Sequence, residues 1–333
     1  MLRYDKFEVI KLKKILVLFG GHSFEHDISV RSCKTIIDNI DKNKYEFTLC
    51  GISRDGDFFR YDDDYNLLDV NWMNRKIVKI DNVIPFIKSF DKVFPMIHGK
   101  DGEDGKIQGL LDIIGVPYVG PDNEGNLIAY DKVLTKIICE KSDIPQLPYY
   151  VVYGDKKVSS IPLQFPVIVK PSRCGSSIGI SVANNIDDLN KCIKEASKYD
   201  NKILIEKYVQ NRRELECAVL GKNEIIPSSV GEIIVDGVYD YDSKYVKDTK
   251  VGIPADISEE LSNRIKNLSK KIFRILDLKD LSRVDFLYDM DTKELYFNEV
   301  NTIPGFTSIS MYPLLFKYDG IDTKELITRL IEK

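Results

Sequence analysis

Residues 281–301 read LSRVDFLYDMDTKELYFNEVN, two runs of alternating polar and apolar residues on either side of a short polar turn. This pattern predicts a β-hairpin, because successive side chains of a strand point to opposite faces. If Leu287 pairs with Leu295, Asp285 and Glu299 become diagonal neighbours on one face, about 7–8 Å apart at the backbone. The hairpin therefore brings two carboxylates together.

The same register sets Asp285 opposite Phe297 and Arg283 opposite Glu299, with Asn301 just beyond on that face. Two carboxylates and an amide oxygen form an all-oxygen donor set, the kind that holds Mg²⁺ together with substrate phosphates. A solvated strand face with an Arg–Glu pair across the strands explains the two carboxylates equally well.

The segment after the hairpin separates these two interpretations. Residues 301–311 read NTIPGFTSISM and place Gly305 and Ser310 just past the carboxylates. A glycine N–H there can point at an oxyanion, and serine hydroxyls can bind a carboxylate. The segment therefore favours a reaction site over a solvated strand face.

A second polar segment lies upstream, where residues 165–179 read FPVIVKPSRCGSSIG. The pattern predicts a buried strand that ends at Lys170 and leads into a Gly/Ser loop. The N–H groups of such a loop can close over phosphates, with the lysine as a point charge. The G-x-x-x-x-G-K-[ST] spacing of a P-loop is absent. Taken alone, the segment is more often only a turn.

The first 120 residues alternate apolar runs with amphipathic stretches. They predict strands at 14–19, 45–53 and 91–97 and helices at 28–40 and 105–114. This order is typical of an open parallel sheet with covering helices, which binds ligands beyond the carboxyl ends of its strands. Those ends fall at residues 20–23 and 98–104.

From about Asn123 the pattern changes, and strands become frequent after about Glu214. The predicted elements there are helices at 129–141, 187–198, 259–276 and 323–331, strands at 166–170 and 202–206, and a polar loop at 236–252. The predicted division of the chain is an extension at 1–13, an N-terminal domain at 14–122, a central domain at 123–212 and a C-terminal domain at 213–333.

Composition narrows the class of protein. The 333 residues carry 48 Lys and Arg against 52 Asp and Glu, a net charge of −4, which argues against a general nucleic-acid binder. No run approaches the roughly 20 apolar residues of a membrane span, and the first 13 residues lack the apolar core of a secretory signal. The six cysteines and three histidines show no zinc-binding spacing. We therefore expect a cytoplasmic protein with reduced thiols and neither a membrane nor a nucleic-acid partner.

Five motifs occur in an order that resembles one family. They are GGHSFEHDIS at 20–29, HGKDGEDG at 98–105, KPSRCGSSIG at 170–179, Lys244-Tyr245, and RVD at 283–285 followed by NTIPG at 301–305. Together they resemble the D-alanine–D-alanine ligases of the ATP-grasp superfamily over nearly the whole chain from Lys14. The resemblance implies a three-domain α/β architecture, with an N-terminal open parallel-sheet domain and two α+β domains that enclose ATP.

The resemblance also implies an activity, the ATP-dependent ligation of two D-alanines through a D-alanyl phosphate, for peptidoglycan precursors. It implies two Mg²⁺ (or Mn²⁺) ions and a homodimer. The matching catalytic positions are Glu25, Ser176, Tyr245, Arg283 and Gly305. The matching substrate positions are His98, Lys244, Ser310 and Met311. The ATP positions are Lys132, Lys170, Glu206, Lys207 and Glu214, and the metal positions are Asp285, Glu299 and Asn301.

Other functions remain open at this stage. The runner-up is a different ATP-grasp carboxylate–amine ligase, including one that uses D-serine or D-lactate as acceptor. A regulatory nucleotide-binding module without catalysis is a third interpretation. The uncharged Met311 and the Lys244-Tyr245 pair favour D-alanine as acceptor, and we expect the loop at 236–252 to act as a lid.

Overall fold

The computed structural model describes residues 12–234 and 250–332. Its strands are β1 (Lys13–Gly20), β2 (Tyr45–Ile52), β3 (Phe58–Tyr61), β4 (Ile77–Lys79), β5 (Lys92–Met96), β6 (Tyr149–Tyr153), β7 (Val167–Pro171), β8 (Ser181–Ala183), β9 (Lys202–Lys207), β10 (Arg212–Gly221), β11 (Ile225–Ile234), β12 (Lys250–Gly252), β13 (Asp280–Asp289) and β14 (Leu295–Asn301). Its helices are α1 (His26–Asn39), α2 (Val83–Ile87), α3 (Lys106–Ile114), α4 (Asn123–Tyr130), α5 (Lys132–Lys141), α6 (Ile186–Ala196), α7 (Glu259–Ile275), α8 (Met311–Tyr318) and α9 (Thr323–Glu332).

The first sheet has the strand order β4-β3-β2-β1-β5. Its centre is parallel as predicted, because β1 pairs in parallel with both β2 and β5. Residues 15–19 of β1 are fully buried, which fits a strand covered on both faces. The sheet is nevertheless mixed, since β3 and β4 add an antiparallel edge that the sequence pattern did not predict. Those two strands are short and partly exposed, so neither contains the long apolar run that would predict a strand.

The last two helices complete the core of this first sheet. Leu326 and Leu330 of α9 are fully buried in the same cluster as Ile15 and Val17 of β1. The Lys92 ammonium donates to the carbonyl oxygens of Leu330, at 3.2 Å, and of Ile331, at 3.0 Å. The C-terminal end of the chain is thus packed against its N-terminal sheet, which holds the two ends of the molecule together.

The other two sheets are antiparallel. The second has the order β6-β9-β7-β8, and the third has the order β12-β11-β10-β13-β14. Helix α6 covers the second sheet, and α7 buries Ile265, Ile272 and Phe273 beneath the third. Each sheet takes its strands from one continuous part of the chain. In residues 12–234 and 250–332, no helix has the length and apolarity needed to cross a bilayer.

Two predicted elements differ from the structure. The single helix expected at 129–141 is two helices, since Asp131 ends α4 and its carboxylate accepts from the N–H groups of Val133 and Leu134 to begin α5. The predicted loop at 236–252 ends in strand β12, which pairs with β11. The remainder of that loop lies outside the described residues.

Candidate active site

The hairpin β13–β14 carries the predicted carboxylates, but in a different register. Tyr288, not Leu287, lies opposite Leu295. The register then shifts between the pair Phe286–Phe297 and the pair Asp285–Glu299, which marks a bulge. The extra residue in the bulge is Asn298. Because a bulge shifts pairing by one position, Asp285 then lies directly opposite Glu299 instead of diagonally.

The predicted partner of Arg283 was therefore wrong. Arg283 lies opposite Asn301, and its guanidinium donates to both oxygens of Asp285, at 2.7 Å each. Its Nε also lies 2.9 Å from Oε2 of Glu216 on β10. Burial alone favours the neutral form, but the carboxylates of Asp285 and Glu216 outweigh it and raise the pKa of Arg283 well above its usual value. Arg283 is a permanent cation in this site.

The donor set at the end of the hairpin suits a hard cation. The Asn301 amide nitrogen donates to Asp285 at 2.9 Å, which leaves the amide oxygen of Asn301 as an acceptor beside two carboxylates. Within the described ranges, no group of three or more His, Cys, Asp and Glu side chains could hold a metal by itself. Two carboxylates with an amide oxygen match the way Mg²⁺ is held when substrate phosphates complete its coordination.

A cleft between the second and third sheets leads to these carboxylates. Its apolar walls come from Leu147, Ile168, Phe286 and Leu287, and Asp285 and Glu299 also line it. The predicted ATP-binding residues Lys170, Lys207 and Glu214 line the same cleft. The carboxylate of Glu214 accepts from the Arg212 guanidinium at 2.9 and 3.1 Å. An elongated ligand with an aromatic end and an anionic end would fit this lining.

Glu206 lies beside this cleft between two lysines. The Lys136 ammonium is 2.6 Å from its Oε1, and the Lys170 ammonium is 2.8 Å from its Oε2. Burial would raise the pKa of Glu206, but Lys136 and Lys170 outweigh it and lower the pKa to about 2. Lys170 also donates to the Asn298 side-chain oxygen at 3.1 Å. The triad holds Lys170 at the end of its strand.

Lys132 connects the Gly/Ser loop with the hairpin. It is the first residue of α5, and its ammonium donates to the Cys174 carbonyl at 2.8 Å and lies 3.3 Å from Oε2 of Glu299. Burial lowers the pKa of Lys132, but the carboxylate of Glu299 outweighs it and the net shift is upward. Asp131 fixes the position of the lysine, because it caps α5 and accepts from the Ser172 hydroxyl at 2.7 Å.

The carboxylate of Glu25 fits between two glycines from different loops. A Cβ added to Gly99 would lie 2.7 Å from Glu25 Oε2, and one added to Gly175 would lie 3.1 Å from the same oxygen. Ser176 follows with a φ of 54°, a left-handed conformation that is uncommon for serine. Its buried hydroxyl has no hydrogen-bond partner among the described residues. Lys244 and Tyr245, the other predicted residues of this region, lie outside the described ranges.

The loop after the hairpin holds the remaining predicted residues. Ser310 Oγ accepts from the Thr307 N–H at 3.0 Å and lies 2.7 Å from the Thr307 hydroxyl. A Cβ on Gly305 would lie 2.9 Å from Ser310 Oγ, so only glycine leaves this approach open. Met311 begins α8, is buried, and places its sulfur against Gly231. The N-terminal end of α8 attracts negative charge such as a carboxylate.

One cavity joins most of these groups. Its lining includes the following predicted residues: Glu25, His98, Lys132, Ser176, Arg283, Glu299, Asn301, Gly305, Ser310 and Met311. This cavity and the cleft between the second and third sheets share Glu299 and Glu216. Ligands bound in the two spaces could therefore meet at the hairpin.

His98 reaches this loop from the first sheet. Its Nδ1–H donates to the Ile303 carbonyl at 2.8 Å, so its Nε2 accepts from the Ser32 hydroxyl at 2.9 Å. Burial lowers the pKa of His98, although Glu25 opposes this effect. The imidazole is therefore neutral, and its two nitrogens are both engaged by protein groups. His98 holds the loop backbone and has no nitrogen left for a ligand in this arrangement.

Sequence reasoning missed four polar residues of the site: Ser32, Glu103, Lys136 and Glu216. Lys136 could have been found, because it lies four residues after Lys132 and so on the same helix face. Glu216 follows Glu214 by two residues on β10 and shares its face. Glu103 lies inside the motif at 98–105 but had no assigned role. Nothing in the local pattern around Ser32 indicates its contact with the loop.

Two family models match the chain. The model described as D-ala D-ala ligase N-terminus matches residues 14–121. The model described as D-ala D-ala ligase C-terminus matches residues 138–332. The two matches together leave out only short segments of the described chain.

Curated relatives extend the similarity along the chain. A D-alanine--D-alanine ligase from Caldicellulosiruptor bescii is 43% identical over 344 residues, covering 96% of this chain and 94% of the relative. The enzyme of the same description from Clostridium acetobutylicum is 43% identical over 334 residues, covering 96% and 97%.

Solved structures show the same architecture. The VanG D-Ala:D-Ser ligase from Enterococcus faecalis matches with a TM-score of 0.87 at 32% identity, covering 97% of this chain and 99% of that one. The D-alanine-D-alanine ligase from Coxiella burnetii matches with a TM-score of 0.80 at 28% identity, covering 97% and 94%. The α/β ATP-grasp architecture that the resemblance implied is confirmed, and the structure shows that it contains three sheets.

Proposed function

Because this chain belongs to the D-alanine–D-alanine ligase family, we propose that it joins two molecules of D-alanine while ATP is converted to ADP and phosphate. The product, D-alanyl-D-alanine, is a peptidoglycan precursor. The observation that carries this proposal is the one cavity in which Glu25, Lys132, Arg283 and Gly305 meet beside a nucleotide cleft. These groups suit an ammonium, a phosphoryl group and a tetrahedral oxyanion.

The first step activates the carboxylate of the first D-alanine. Joining two zwitterions as an amide is unfavourable in water, so a carboxylate oxygen first takes the γ-phosphoryl group and forms D-alanyl phosphate. Glu25 holds the ammonium of this D-alanine, with the Ser176 hydroxyl as a further acceptor. Lys132 and Lys170 place positive charge where the phosphates lie, and such charge is the main contribution of proteins to phosphoryl transfer. The apolar walls of the cleft suit adenine.

We assign Asp285, Glu299 and Asn301 as the residues that hold two Mg²⁺ (or Mn²⁺) ions. Their oxygen atoms support this assignment, as does their position, because Asp285 and Glu299 line the proposed nucleotide cleft and Asn301 donates to Asp285. The ions would neutralise negative charge on the transferring phosphoryl group. On this proposal Glu206, Lys207 and Glu214 belong to the part of the site that binds adenine and ribose.

The second step forms the peptide bond. The amine of the second D-alanine attacks the acyl carbon, the C–N bond forms, and the C–O bond to phosphate breaks. Arg283 and the Gly305 N–H face the oxyanion of the tetrahedral intermediate, and such donors commonly contribute 10²–10³-fold in rate, as an order of magnitude. Ser310 and Met311, at the start of α8, bind the second carboxylate, while Lys244 and Tyr245 approach from the 236–252 loop.

The domain division, the oligomeric state and the cellular location belong to the same proposal. Three domains with boundaries near residues 122 and 212 are supported by the three sheets, each built from one part of the chain. A homodimer and a cytoplasmic location follow from the resemblance to the family alone.

The test is identification of the product by mass. The full chain is incubated with ATP, Mg²⁺ and D-alanine, with L-alanine or no amino acid as controls, and ADP is measured in parallel. We expect D-alanyl-D-alanine and ADP in equal amounts with D-alanine only. ADP formation that does not depend on D-alanine, with no dipeptide, would contradict the proposal.

The second candidate function is the ligation of D-alanine to D-serine as the acceptor. The structural match to a D-Ala:D-Ser ligase, at a TM-score of 0.87, supports including it. A reaction that contains D-alanine and D-serine together distinguishes the two products by a mass difference of one oxygen atom.

A further inference from the structure

Glu103 is a partly buried carboxyl group of the cavity that the proposed reaction does not use. It lies on the segment after β5, four residues beyond Gly99, and lines the cavity together with Glu25. Its Oε1 accepts from the Gly99 N–H at 2.8 Å. Gly99 is the residue whose missing side chain leaves room for the Glu25 carboxylate. Glu25 and Glu103 therefore flank the same glycine.

The other side of Glu103 faces the loop that follows the hairpin. The Thr302 hydroxyl lies 3.5 Å from its Oε2, and the backbone N–H groups of Thr302 and Ile303 act from the same side to lower the pKa of Glu103. A carboxylate that accepts from one loop and contacts a second holds the two in one arrangement, because charged hydrogen bonds are stronger than neutral ones. Glu103 thus links the turn beside Glu25 to the residues just before Gly305.

Two further side chains of the first domain hold the same loop. The Ile303 carbonyl accepts from His98, and the Phe306 N–H donates to the buried Ser32 hydroxyl at 3.2 Å. The backbone of Ile303 and that of Phe306 are therefore both held by residues of the first domain. Gly305 lies between these anchored positions. The loop at 302–306 belongs to the third sheet by sequence but takes its shape from the first domain.

We propose that Glu103 is a positioning residue for peptide bond formation, tying the turn beside Glu25 to the 302–306 loop so that the Gly305 N–H faces the oxyanion that forms at the acyl carbon. This inference rests on the proposed ligase function. The step it serves forms the C–N bond and breaks the C–O bond to phosphate. Phosphate leaves with the electron pair, and the proton lost by the amine passes to phosphate or water. Phosphoryl transfer uses Lys132 and Lys170 and does not require this loop.

The proposal predicts uncoupling. If the loop shifts, D-alanyl phosphate still forms but reacts with water, so ADP accumulates without dipeptide. Glu103→Gln keeps the size of the side chain but presents an amide NH₂ to N–H donors. We expect dipeptide formation to fall about tenfold to a hundredfold, as for a small displacement of a reacting group. We expect D-alanine-dependent ADP formation to fall less than about threefold, since that step keeps its own groups.

The experiment measures dipeptide and ADP in the same reaction for the wild type, Glu103→Gln and the matched control Glu124→Gln. Glu124 is an exposed acid in the first turn of α4, so its variant should keep a ratio of one. Ser32→Ala, which removes the hydroxyl bound to Phe306 N–H, is the second test variant and should also lower the ratio of dipeptide to ADP.

The outcomes separate the two proposals. A wild type that makes no dipeptide contradicts the ligase function itself. A productive wild type with a ratio of one in Glu103→Gln overturns the positioning role, as does an equal loss of both products with the fold intact. If Glu103→Gln does not fold, the ratio in Ser32→Ala decides: a lowered ratio supports the role, and a ratio of one overturns it.

Discussion

Glu206, beside the proposed nucleotide cleft, is held by ion pairs, whereas Glu25, in the cavity proposed for the amino acids, is placed against backbone glycines. Glu206 binds Lys136 and Lys170 at 2.6 and 2.8 Å. In the cavity, Glu25 fits against Gly99 and Gly175, where a Cβ would come within 2.7 and 3.1 Å of its carboxylate. On the proposed function, the nucleotide half of the site thus depends on ion pairs around Glu206, and the amino-acid half on the close approach of two loops to Glu25.

This difference separates what each half contributes to stability and to specificity. A buried ion pair is costly to break, because the remaining charge has no compensation. A carboxylate placed against two glycines tolerates little added volume beside it. We therefore expect substitutions in the cleft to reduce folding stability and substitutions in the cavity to alter the reaction.

The largest effect is expected from removing the carboxylate that is paired with two lysines. Glu206→Gln leaves two buried lysines without their carboxylate and should lower the free energy of unfolding by about 3–5 kcal/mol. The measurement is denaturant unfolding, with Glu195→Gln on the exposed face of α6 as control. An equal stability of both variants would show that the ion pairs contribute little.

The same variant has a pH signature. The pKa of Glu206 is lowered to about 2 in the folded protein, from an ordinary value of 4.5. A lowered pKa stabilises the fold above the unfolded value, and this contribution is lost as the pH falls from 4.5 toward 2. The stability difference between the wild type and Glu206→Gln should therefore shrink below pH 4.5.

The second prediction acts where the two halves meet. Glu299→Gln removes one negative charge opposite Asp285 and should reduce kcat by about 10²–10³-fold, because charge near the transferring phosphoryl group is lost. The fold should remain intact, since Glu299 is only partly buried. The assay is D-alanine-dependent ADP formation, with the exposed Glu294→Gln at the other end of the hairpin as control. A rate near that of the wild type would contradict the metal assignment.

The sequence could predict these carboxylates but not their register. Alternation of polar and apolar residues in 281–301 indicates which side chains share a face. It contains no signal for the bulge at Asn298, whose extra residue sets Asp285 directly opposite Glu299. The local alternation does not mark an inserted residue, so the bulge is visible only in three dimensions.

The helix break at Asp131 escaped prediction for a related reason. The apolar spacing of residues 129–141 fits one helix, and an aspartate inside such a pattern is tolerated. In the structure Asp131 caps α5 and binds both Ser172 and Lys202, which come from a distant part of the chain. Local propensity is outweighed by these long-range contacts, and Lys132 takes its position from them.

The residues of the amino-acid half could be predicted from the sequence, but the contacts that bring its loops together could not. Glu25, Gly175 and Ser176 stand in recognisable Gly-rich motifs, because close backbone approach requires glycine. The contact from Ser32 to the Phe306 N–H joins residues 274 positions apart, and no local pattern indicates it. Long-range hydrogen bonds between loops were the main feature that the sequence did not reveal.

The third prediction concerns which second substrate, or acceptor, the cavity prefers. Met311 is buried and uncharged at the start of α8, so it suits the methyl group of D-alanine. The hydroxymethyl group of D-serine would lose water there, at a cost of roughly 1–3 kcal/mol. This corresponds to about a fivefold to hundredfold preference for D-alanine. With equal D-alanine, D-serine and D-lactate near pH 7.5, we expect D-alanyl-D-alanine to dominate, and a mixture led by either other product would contradict this.

The last prediction concerns the pH dependence of the amino-acid half, with the smallest expected effect. Burial and the neighbouring Glu25 raise the pKa of Glu103 to about 7, while the N–H groups of Gly99, Thr302 and Ile303 oppose the rise. Lys132, Tyr130 and His98 are the other titratable groups around it. The positioning role needs the charged carboxylate, because a carboxylate is a stronger acceptor for backbone N–H groups than a neutral carboxyl group. Activity that depends on Glu103 should therefore be lost as the pH falls through 7.

The readout is the ratio of wild-type kcat/KM to that of Glu103→Gln, measured for D-alanine between pH 6 and pH 8. Titrations common to both proteins, including that of the attacking amine, cancel in this ratio. The parameter kcat/KM reports the free enzyme, in which Glu25 carries no bound ammonium and the pKa of Glu103 is raised. A group with a pKa of about 7 is roughly nine-tenths ionised at pH 8 and one-tenth at pH 6, so the ratio should fall about tenfold. A ratio that stays constant over this range would show that Glu103 keeps one protonation state, and its link between the two loops would then be independent of pH.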